Sequence, residues 1–501
     1  MSVPTMEPPA TQQLPQEQVV NITTSSTPTY PVAQPKQQTE RWWKRNNKYK
    51  PQLNSIGPAS LIFISGGINM AWQLGLSATL NTEFMITERM VSSWFEGAVF
   101  SAIGGVFFSK YFPKKILMWM SSILVVIGGI LQVSDPNTYD IILASRYLNG
   151  IAVGLVFPMI FVLIGEEVVK PLRGLNSSVV DTMSFSCGIF IQMLYSVLWT
   201  SEAENVFKAI QMGGLLNIIC GIIAFIMTTL YMVESPIFYL VHGDEQMALD
   251  SLIRLQRPHE LNAETYEQLE EHKHYVAESN ERTFKGNAFY AIPALLKLCF
   301  YRSFAALGFS YFVNFTFLYS SLVTTQLQIY PYILYALARL LGPIIASFTL
   351  DSKGRKPSMI IGFFVCTILA FTIGGIFNNK QNYIDIDYMT IVKYFLICFQ
   401  LFSSMSMASS SAYLCEAFPL PVKRHYIAIV FIVEMMVHII INSFKGTFIV
   451  YKVNHISDYF LTLGGLSLVF LGVAIFVMPE TKWCSLRECL PKFRQLYNFR
   501  K

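Results

Sequence analysis

The chain has 501 residues, of which 53% are hydrophobic and only 14% are charged, and its mean hydropathy is +0.42. This composition argues against a set of soluble domains and indicates a polytopic membrane protein. The net charge of +5 is small for the length, and the basic residues fall in loops between apolar runs, so we expect no nucleic-acid partner.

Residues 1–57 are predicted to form a disordered cytoplasmic arm. Residues 1–30 are rich in Pro, Thr, Gln and Ser and lack the basic and apolar regions of a signal peptide. A basic and aromatic cluster follows at residues 41–48. Anchoring at anionic lipid headgroups and a solvated segment beside the membrane are equally good interpretations of that cluster.

Apolar runs of about twenty residues, each long enough to cross a bilayer, recur twelve times. Six lie within residues 58–233 and six within residues 301–478, which predicts an all-α membrane protein with twelve transmembrane helices in two six-helix bundles. The polar interval 234–300 opens with Ser235-Pro236, a helix N-cap followed by proline, and predicts a cytoplasmic helical linker. Residues 479–501 form the predicted cytoplasmic tail.

The loops differ in charge from one side to the other. Basic residues such as Lys114, Lys170, Lys353 and Lys423 lie on alternate connections, and the opposite connections are net acidic. Because cytoplasmic loops carry the excess of Lys and Arg, both termini and the linker are predicted to be cytoplasmic. We expect an integral, multi-pass protein of the plasma membrane.

The eight cysteines include no CxxC pair and no His/Cys cluster at metal-ligand spacing. We therefore expect reduced, structural thiols and neither a metal site nor a cofactor. Cys484 and Cys489 in the tail are candidates for lipidation.

Six short motifs follow one another from the predicted fourth helix to the tail. They are Arg146-Tyr147-Leu148-Asn149-Gly150 with Gly154, Glu166 with Arg173-Gly174, Glu234-Ser235-Pro236, Asp351-Ser352-Lys353-Gly354-Arg355-Lys356, Glu416 with Phe418-Pro419 and Arg424, and Pro479-Glu480-Thr481-Lys482. Together they resemble the landmarks of the sugar-porter branch of the major facilitator superfamily, to which facilitative hexose transporters belong.

The resemblance implies transport of a small polar solute, a sugar or polyol, by alternating access, with facilitated diffusion as the default and a substrate site near the membrane midplane. It also implies a cytoplasmic gate of acids and bases that pair across the two halves when the inner side is shut. The predicted gate residues are Glu166, Arg173, Asp351, Arg355, Glu416 and Arg424. The alternative, simple positive-inside anchoring, accounts well for Lys114 and Lys423. Gly150 and Gly154 have the spacing for close helix packing.

The positions that line the cavity of a sugar porter have changed their chemistry. Amides and a tryptophan that serve hexose carriers are replaced here by ionisable or small residues at several positions. Aligned from the motifs, the predicted cavity residues are Gln73, Asp181, Gln192, Asn314, Arg339, Ser411, Glu434 and His438. Charges at membrane depth are costly, so we predict an Arg339–Glu434 ion pair with His438 one turn beyond and able to gain a proton. A fixed structural pair is the alternative.

The sequence leaves three questions of function open: whether transport is linked to protons, which kind of solute is carried, and whether the protein transports or only senses its solute. The acid that proton-linked relatives carry on the first helix is absent from Trp72-Gln73-Leu74-Gly75, yet Asp181 or Glu434 with His438 are possible substitutes. A carrier of a charged organic solute, proton-linked or not, and a non-transporting nutrient receptor are the alternatives to a sugar carrier.

No nucleophile–base or metal pattern occurs, so we predict that the chain is not an enzyme. The expected partners are a small-molecule solute and the bilayer, and a monomer is compatible with the sequence.

Overall fold

The computed structural model describes residues 42–78, 87–198, 208–325, 329–443 and 452–495. Within these ranges eleven helical segments are long and apolar enough to cross a membrane. The helix Lys50–Met70 packs among them as a twelfth. Residues 1–41 of the predicted arm lie outside the described residues, and helices begin at Trp42, before the predicted end of the arm at residue 57.

The first half packs its helices closely through small residues. Gly150 and Gly154 occupy one face of the sixth helix, and a Cβ atom at Gly150 would lie 2.1 Å from the carbonyl oxygen of Trp94. The backbones of two helices therefore touch there, as the spacing predicts. The helices of this half are α1 Trp42–Lys48, α2 Lys50–Met70, α3 Trp72–Ala78, α4 Glu88–Tyr111, α5 Lys114–Ser134, α6 Tyr139–Glu167, α7 Arg173–Ser178, α8 Ser184–Leu198 and α9 Ala209–Tyr231.

A π-helical turn, Val179–Met183, joins α7 to α8. It inserts an extra residue into an otherwise continuous helix, and such turns recur at functional positions in helical proteins. Asp181 lies in this turn and is fully buried.

The linker consists of three short helices, α10 Pro236–Val241, α11 Glu245–Arg254 and α12 Ala263–Glu281. The hydroxyl of Ser235 accepts hydrogen bonds from the first backbone N–H groups of α10, as the Ser-Pro pair predicts. The next helix begins at Phe284, well inside the predicted linker interval 234–300. We call the end of the molecule that carries α10–α12 the linker side.

The second half contains one interrupted helix. Gly308, Phe309 and Ser310 separate α13 from α14, which frees backbone groups in the middle of the protein. The helices of this half are α13 Phe284–Leu307, α14 Tyr311–Thr325, α15 Tyr330–Leu350, α16 Arg355–Asn378, α17 Ile386–Glu416, α18 Leu420–Ser443 and α19 Lys452–Val477, followed by the short α20 Leu486–Arg494 on the linker side.

The loop between α15 and α16 is fixed from the C-terminal segment. Gly354 has a φ of +113°, which only glycine adopts readily, and α16 starts directly after it. The carboxylate of Glu480 accepts hydrogen bonds from the backbone N–H groups of Arg355 and Lys356 at 3.0 and 3.1 Å. A negative charge at a helix N-terminus is favourable, so Glu480 ties the tail to the start of α16.

The two halves meet along α4 with α18 and along α8 with α15. Phe157 of α6 stacks on Phe431 of α18, with ring centroids 4.1 Å apart. These rings are part of a hydrophobic core that runs through both halves. The groups described below lie in and around this interface.

Candidate functional site

Three charged side chains meet at the centre of the interface. Arg302 of α13 donates from Nε to Glu434 of α18 at 2.6 Å and from Nη1 to Asp181 at 2.8 Å. All three side chains are at most 3% exposed. We call Arg302, Asp181 and Glu434 the buried triad. One of its two ion pairs lies within the second half, and the other joins the two halves.

Two serines and an aromatic ring complete the surroundings of the triad. Ser411 of α17 donates to Asp181 Oδ2 at 2.7 Å, and Ser410 accepts from Arg302 Nη1 at 3.1 Å. The Arg302 guanidinium also lies 5.4 Å from the centre of the Phe157 ring in the first half. Charged hydrogen bonds in a site that excludes water are strong and costly to break. The triad therefore couples the position of one half to that of the other.

The predicted Arg339–Glu434 ion pair is wrong. Glu434 instead binds Arg302, while Arg339 donates from Nη1 to Gln400 of α17 at 2.7 Å and stacks 4.0 Å from the centre of the Phe309 ring. The side chain of Gln400 in turn donates to the carbonyl of Gly308 at 3.0 Å. The side chain of Gln400 thus links Arg339 to a backbone carbonyl that, among the described residues, has no helical partner because of the break between α13 and α14.

A cavity of about 70 Å³ lies between the triad and the side opposite the linker. By volume it holds about five water molecules. Both halves line it, with Gln73, Asn314, His438 and Asn442 among aromatic rings that include Phe95. The imidazole of His438 stacks on Phe95 with 4.8 Å between ring centroids. A second, narrower cavity of about 30 Å³, bordered by Arg302, Arg339 and Glu434, lies against the triad itself.

Seven of the eight predicted cavity residues thus fall into three groups. Gln73, Asn314 and His438 line the larger cavity, and Arg339 and Glu434 line the smaller one. Asp181 and Ser411 belong to the triad and its surroundings. The eighth, Gln192, bonds within its own helix, donating to Ser196 and accepting from Tyr195, and lines neither cavity.

The structure brings most of the predicted gate residues together at the linker side. Arg355 lies 3.2 Å from Glu416 and 3.3 Å from Asp351, and Arg173 reaches Glu416 at 3.8 Å from the first half. The Asp351 carboxylate accepts from the backbone N–H groups of Gly174 and Leu175 at the start of α7, at 3.2 and 2.8 Å. These contacts close the linker side of the interface. We call Arg173, Asp351, Arg355 and Glu416 the gate cluster.

Burial governs the ionisation of Asp351. It raises the pKa of this carboxyl to about 6, although Arg355 and the two backbone N–H groups act in the opposite direction. Asp351 therefore titrates close to neutral pH, where an exposed aspartate stays ionised.

Two lysines that the sequence analysis assigned to anchoring, Lys114 and Lys423, lie next to acidic residues at the linker side. Lys114 pairs with Glu166 at 3.0 Å and lies 3.5 Å from Glu234. Lys423 is fully buried, close to Gly165 and under the electrostatic influence of Glu166. Arg424 makes no ion pair within the part of the chain that the structure describes, so the pairing expected of it in the gate is not found there. The neighbouring Lys423 is the buried cation at this position, and its Nζ has no hydrogen-bond partner among the described residues. Anchoring alone does not explain lysines buried among acids.

A third cavity, of about 300 Å³, lies on the linker side between the end of α6 and α12. Its lining includes Glu167 and His272. Burial lowers the pKa of His272 to about 4, so its imidazole is neutral at physiological pH. In the described residues no group of three or more potential metal ligands occurs.

Comparison with known proteins agrees with this architecture. The family model described as sugar (and other) transporter matches residues 29–493. The chain belongs to this family. The family is one of transporters and not of enzymes, and the predicted integral, multi-pass membrane architecture with two six-helix bundles is confirmed.

Similar proteins include two bacterial sugar symporters. The galactose-proton symporter of Escherichia coli strain K12 is 24% identical over 86% of this chain and 91% of its own length. The arabinose-proton symporter of the same strain is 22% identical over 86% of this chain and 90% of its own. A solved structure of the proton:xylose symporter bound to 6-bromo-6-deoxy-D-glucose superposes with a TM-score of 0.70 at 18% identity, covering 88% of this chain and 99% of that one.

Sequence reasoning missed Arg302. Within the predicted second bundle of residues 301–478, the apolar run interpreted as the seventh span begins at Ser303, and the residues up to 300 are assigned to the linker. Arg302 therefore falls just before the predicted span. The helix in fact begins at Phe284, so Arg302 lies on its buried face. The available signal was the apolar run from Ala288 to Phe300, which continues into the seventh span on the other side of Arg302.

Proposed function

We propose that this member of the family carries a neutral polyhydroxylated solute, a sugar or polyol, across the plasma membrane by alternating access. In this proposal the linker side and both termini are cytoplasmic, as the distribution of Lys and Arg predicts. The chain acts on a small-molecule solute within the bilayer, and a single copy contains both halves of the site.

The lining of the larger cavity is the observation that carries the proposal. Gln73, Asn314 and Asn442 offer amide donors and acceptors, and Phe95, with other rings, offers apolar faces. Amides and rings of this kind match the hydroxyls and the C–H face of a sugar. Both carboxylates of the triad already bind its single cation, Arg302, so the triad offers no free cation to an anionic solute.

Alternating access is supported by two sets of contacts between the halves, one at the linker side and one at the centre of the interface. In this structure the gate cluster and the Asp181–Arg302 bond join the halves on the linker side of the larger cavity. Opening the linker side requires both to separate, because each contains groups from both halves. The role of Glu166, with its neighbours Lys114 and Lys423, is to complete this charged layer from the end of α6.

Substrate binding is tested on the purified protein in lipid nanodiscs with a panel of labelled hexoses, pentoses and polyols. Replacing Gln73 or Asn314 by Ala removes one neutral hydrogen bond, about 0.5–1.5 kcal/mol, so the Kd of the best ligand rises about three- to tenfold. Asn382→Ala is the matched control, because Asn382 bonds to the carbonyl of Ile376 and lines neither cavity. Equal losses in all three variants, or tighter binding of organic ions than of sugars, would contradict the proposal.

Proton-linked transport is a second candidate, and one observation favours it. Oδ1 of Asp181 is buried without a hydrogen-bond partner among the described residues, although Oδ2 accepts from Arg302 and Ser411. A proton on this oxygen would weaken the bond between the halves. Uptake into proteoliposomes with a pH indicator in the lumen decides the matter: sugar-driven acidification that Asp181→Asn abolishes supports coupling, and uptake without proton movement supports facilitated diffusion. Binding with no uptake at all would indicate a receptor.

A further inference from the structure

Two cysteines lie side by side where the C-terminal segment meets the gate cluster. Trp483 has a φ of +58°, a left-handed conformation that is unusual for a residue with a side chain, and this turn directs the chain into α20. Cys484 follows Trp483 and is half-buried, and Cys489 is fully buried in α20. Cys484 directly precedes the N-cap Ser485 and Cys489 is the fourth residue of α20, two positions whose side chains pack together at a capped helix N-terminus.

The surroundings of Cys484 favour its thiolate. Lys492 donates to its sulfur at 2.8 Å, and Cys484 lies just before the N-terminus of α20, whose dipole favours negative charge. The neighbouring thiol of Cys489, followed by the ammonium group of Lys492, lowers the pKa of Cys484 to about 6 against the effect of burial. The proximity of Cys484, together with burial, raises the pKa of Cys489. At neutral pH the pair therefore consists of one nucleophilic thiolate and one thiol.

The pair is joined to the gate by backbone groups. Arg173 donates from Nη1 to the carbonyl oxygen of Cys484 at 3.4 Å, and Lys492 donates to the carbonyl oxygen of Glu480 at 3.3 Å. Glu480 itself holds the start of α16. Arg173 belongs to the first half and Glu480 follows the second, so the turn that carries Cys484 contacts both halves while the linker side is closed.

We propose that Cys484 and Cys489 form a peroxide-sensitive dithiol whose oxidation to a disulfide holds the linker side closed. The thiolate of Cys484 attacks one oxygen of hydrogen peroxide, the O–O bond breaks, and hydroxide leaves and is protonated to water, giving a sulfenic acid. The thiol of Cys489 then attacks that sulfur, an S–S bond forms, and a second water leaves with the thiol proton. The protein loses two electrons and the one proton of the Cys489 thiol, solvent supplies the proton that converts the leaving hydroxide to water, and a small-molecule thiol reverses the reaction by exchange.

The disulfide favours the closed state because it fixes one partner of a closing contact. It joins the turn before α20 to the helix itself, and the carbonyl of Cys484 then stays where Arg173 binds it. When the linker side opens, Arg173 has to leave this carbonyl. In the oxidised protein the turn is held in place and cannot rearrange to make that separation easier. Neither Cys484 nor Cys489 belongs to the cavities or to the triad, so this switch is independent of which solute is carried.

The chemistry is tested by treating the reduced full-length protein in nanodiscs with hydrogen peroxide, followed by trypsin. Cleavage after Lys482, Arg487 and Lys492 separates the two cysteines, so the disulfide appears as peptides 483–487 and 488–492 joined with the loss of two hydrogens. Cys484→Ser and Cys489→Ser each abolish the joined species. In Lys492→Gln the rate of alkylation of Cys484 continues to rise above pH 8, whereas in the unsubstituted protein it levels off near pH 7. Free thiols after peroxide, an acyl chain on Cys484 in freshly extracted protein, or identical pH profiles would overturn the proposal.

The effect on the gate is measured without a transported solute. Cys415 is fully buried on α17, where its carbonyl lies against Gly165 of the other half, so maleimide reaches its thiol only when the linker side opens. Oxidation should slow this labelling about fivefold, in the range of ordinary coupling between sites, and dithiothreitol should restore it. Cys489→Ser should show no response to peroxide. A disulfide that forms with no change in Cys415 labelling would overturn its role in the gate.

Discussion

Replacing Asp181 by Asn separates the two functions of the buried triad. Asp181 is the partner of Arg302 in the other half, whereas Glu434 is its partner in the same half. Asp181→Asn and Glu434→Gln each remove one carboxylate charge from the same guanidinium with almost no change in volume. Only Asp181→Asn weakens a bond between the two halves, which has to break when the linker side opens.

The size of the effect follows from the geometry. The Asp181–Arg302 bond is 2.8 Å long and is excluded from water, and a hydrogen bond to a charged group contributes about 1.5–3 kcal/mol. Since about 1.4 kcal/mol is a factor of ten, Asp181→Asn should shift the equilibrium toward the open linker side by about 10- to 150-fold. Glu434→Gln should lower the overall stability of the second half and shift the same equilibrium less than about threefold.

The assay is the rate of maleimide labelling at Cys415, in a chain whose other seven cysteines are replaced by serine. When opening is rapid, this rate is proportional to the open fraction. The reagent is applied from the linker side in vesicles of known orientation, and labelling in detergent after unfolding gives the total. Equal acceleration by Asp181→Asn and Glu434→Gln would refute the reasoning, because it would mean that the triad acts as a unit on stability and not as a bond between halves.

Two further predictions concern the gate and the packing of the first half. Burial in the closed state raises the pKa of Asp351 to about 6, above the value of about 4 expected once it is exposed, so proton binding favours the closed state. The rate of Cys415 labelling, divided by the rate in the unfolded protein at the same pH to remove the titration of the thiol itself, should therefore fall about tenfold from pH 7 to pH 5. In Asp351→Asn this normalised rate should not change with pH, and an unchanged profile would exclude Asp351 as the source. Gly150→Ala places a Cβ 2.1 Å from the Trp94 carbonyl and should destabilise the folded protein by about 1–3 kcal/mol, measured as a lower melting temperature, whereas Gly375→Ala, where nothing lies within 4 Å, should be neutral.

The residues of the gate cluster could be predicted from local sequence patterns, whereas the pairing within the buried triad could not. Motifs such as Asp351 to Arg355 could be recognised from the sequence because the charges stand at helix ends at fixed spacings, and helix ends on one side of a membrane must lie close together. The partner of Glu434 could not be recognised in the same way. Arg302 is 132 positions away from Glu434 and Asp181 is 121 positions away from Arg302, so their meeting depends on how three helices rotate about their axes.

The sequence by itself determined the number of membrane spans, the division into two halves, the family landmarks and the four residues of the gate cluster, because each of these follows from hydropathy, charge sidedness or a short motif. Only the tertiary structure decided which charges pair at the centre of the interface. It placed Arg302 within a helical segment that is long and apolar enough to span the membrane and paired it with both Asp181 and Glu434. Arg339 instead binds Gln400, which in turn binds the backbone at the break between α13 and α14. The physical reason is that a buried charge selects its partner by direction and distance, and these are set by the packing of helices that are far apart in the chain.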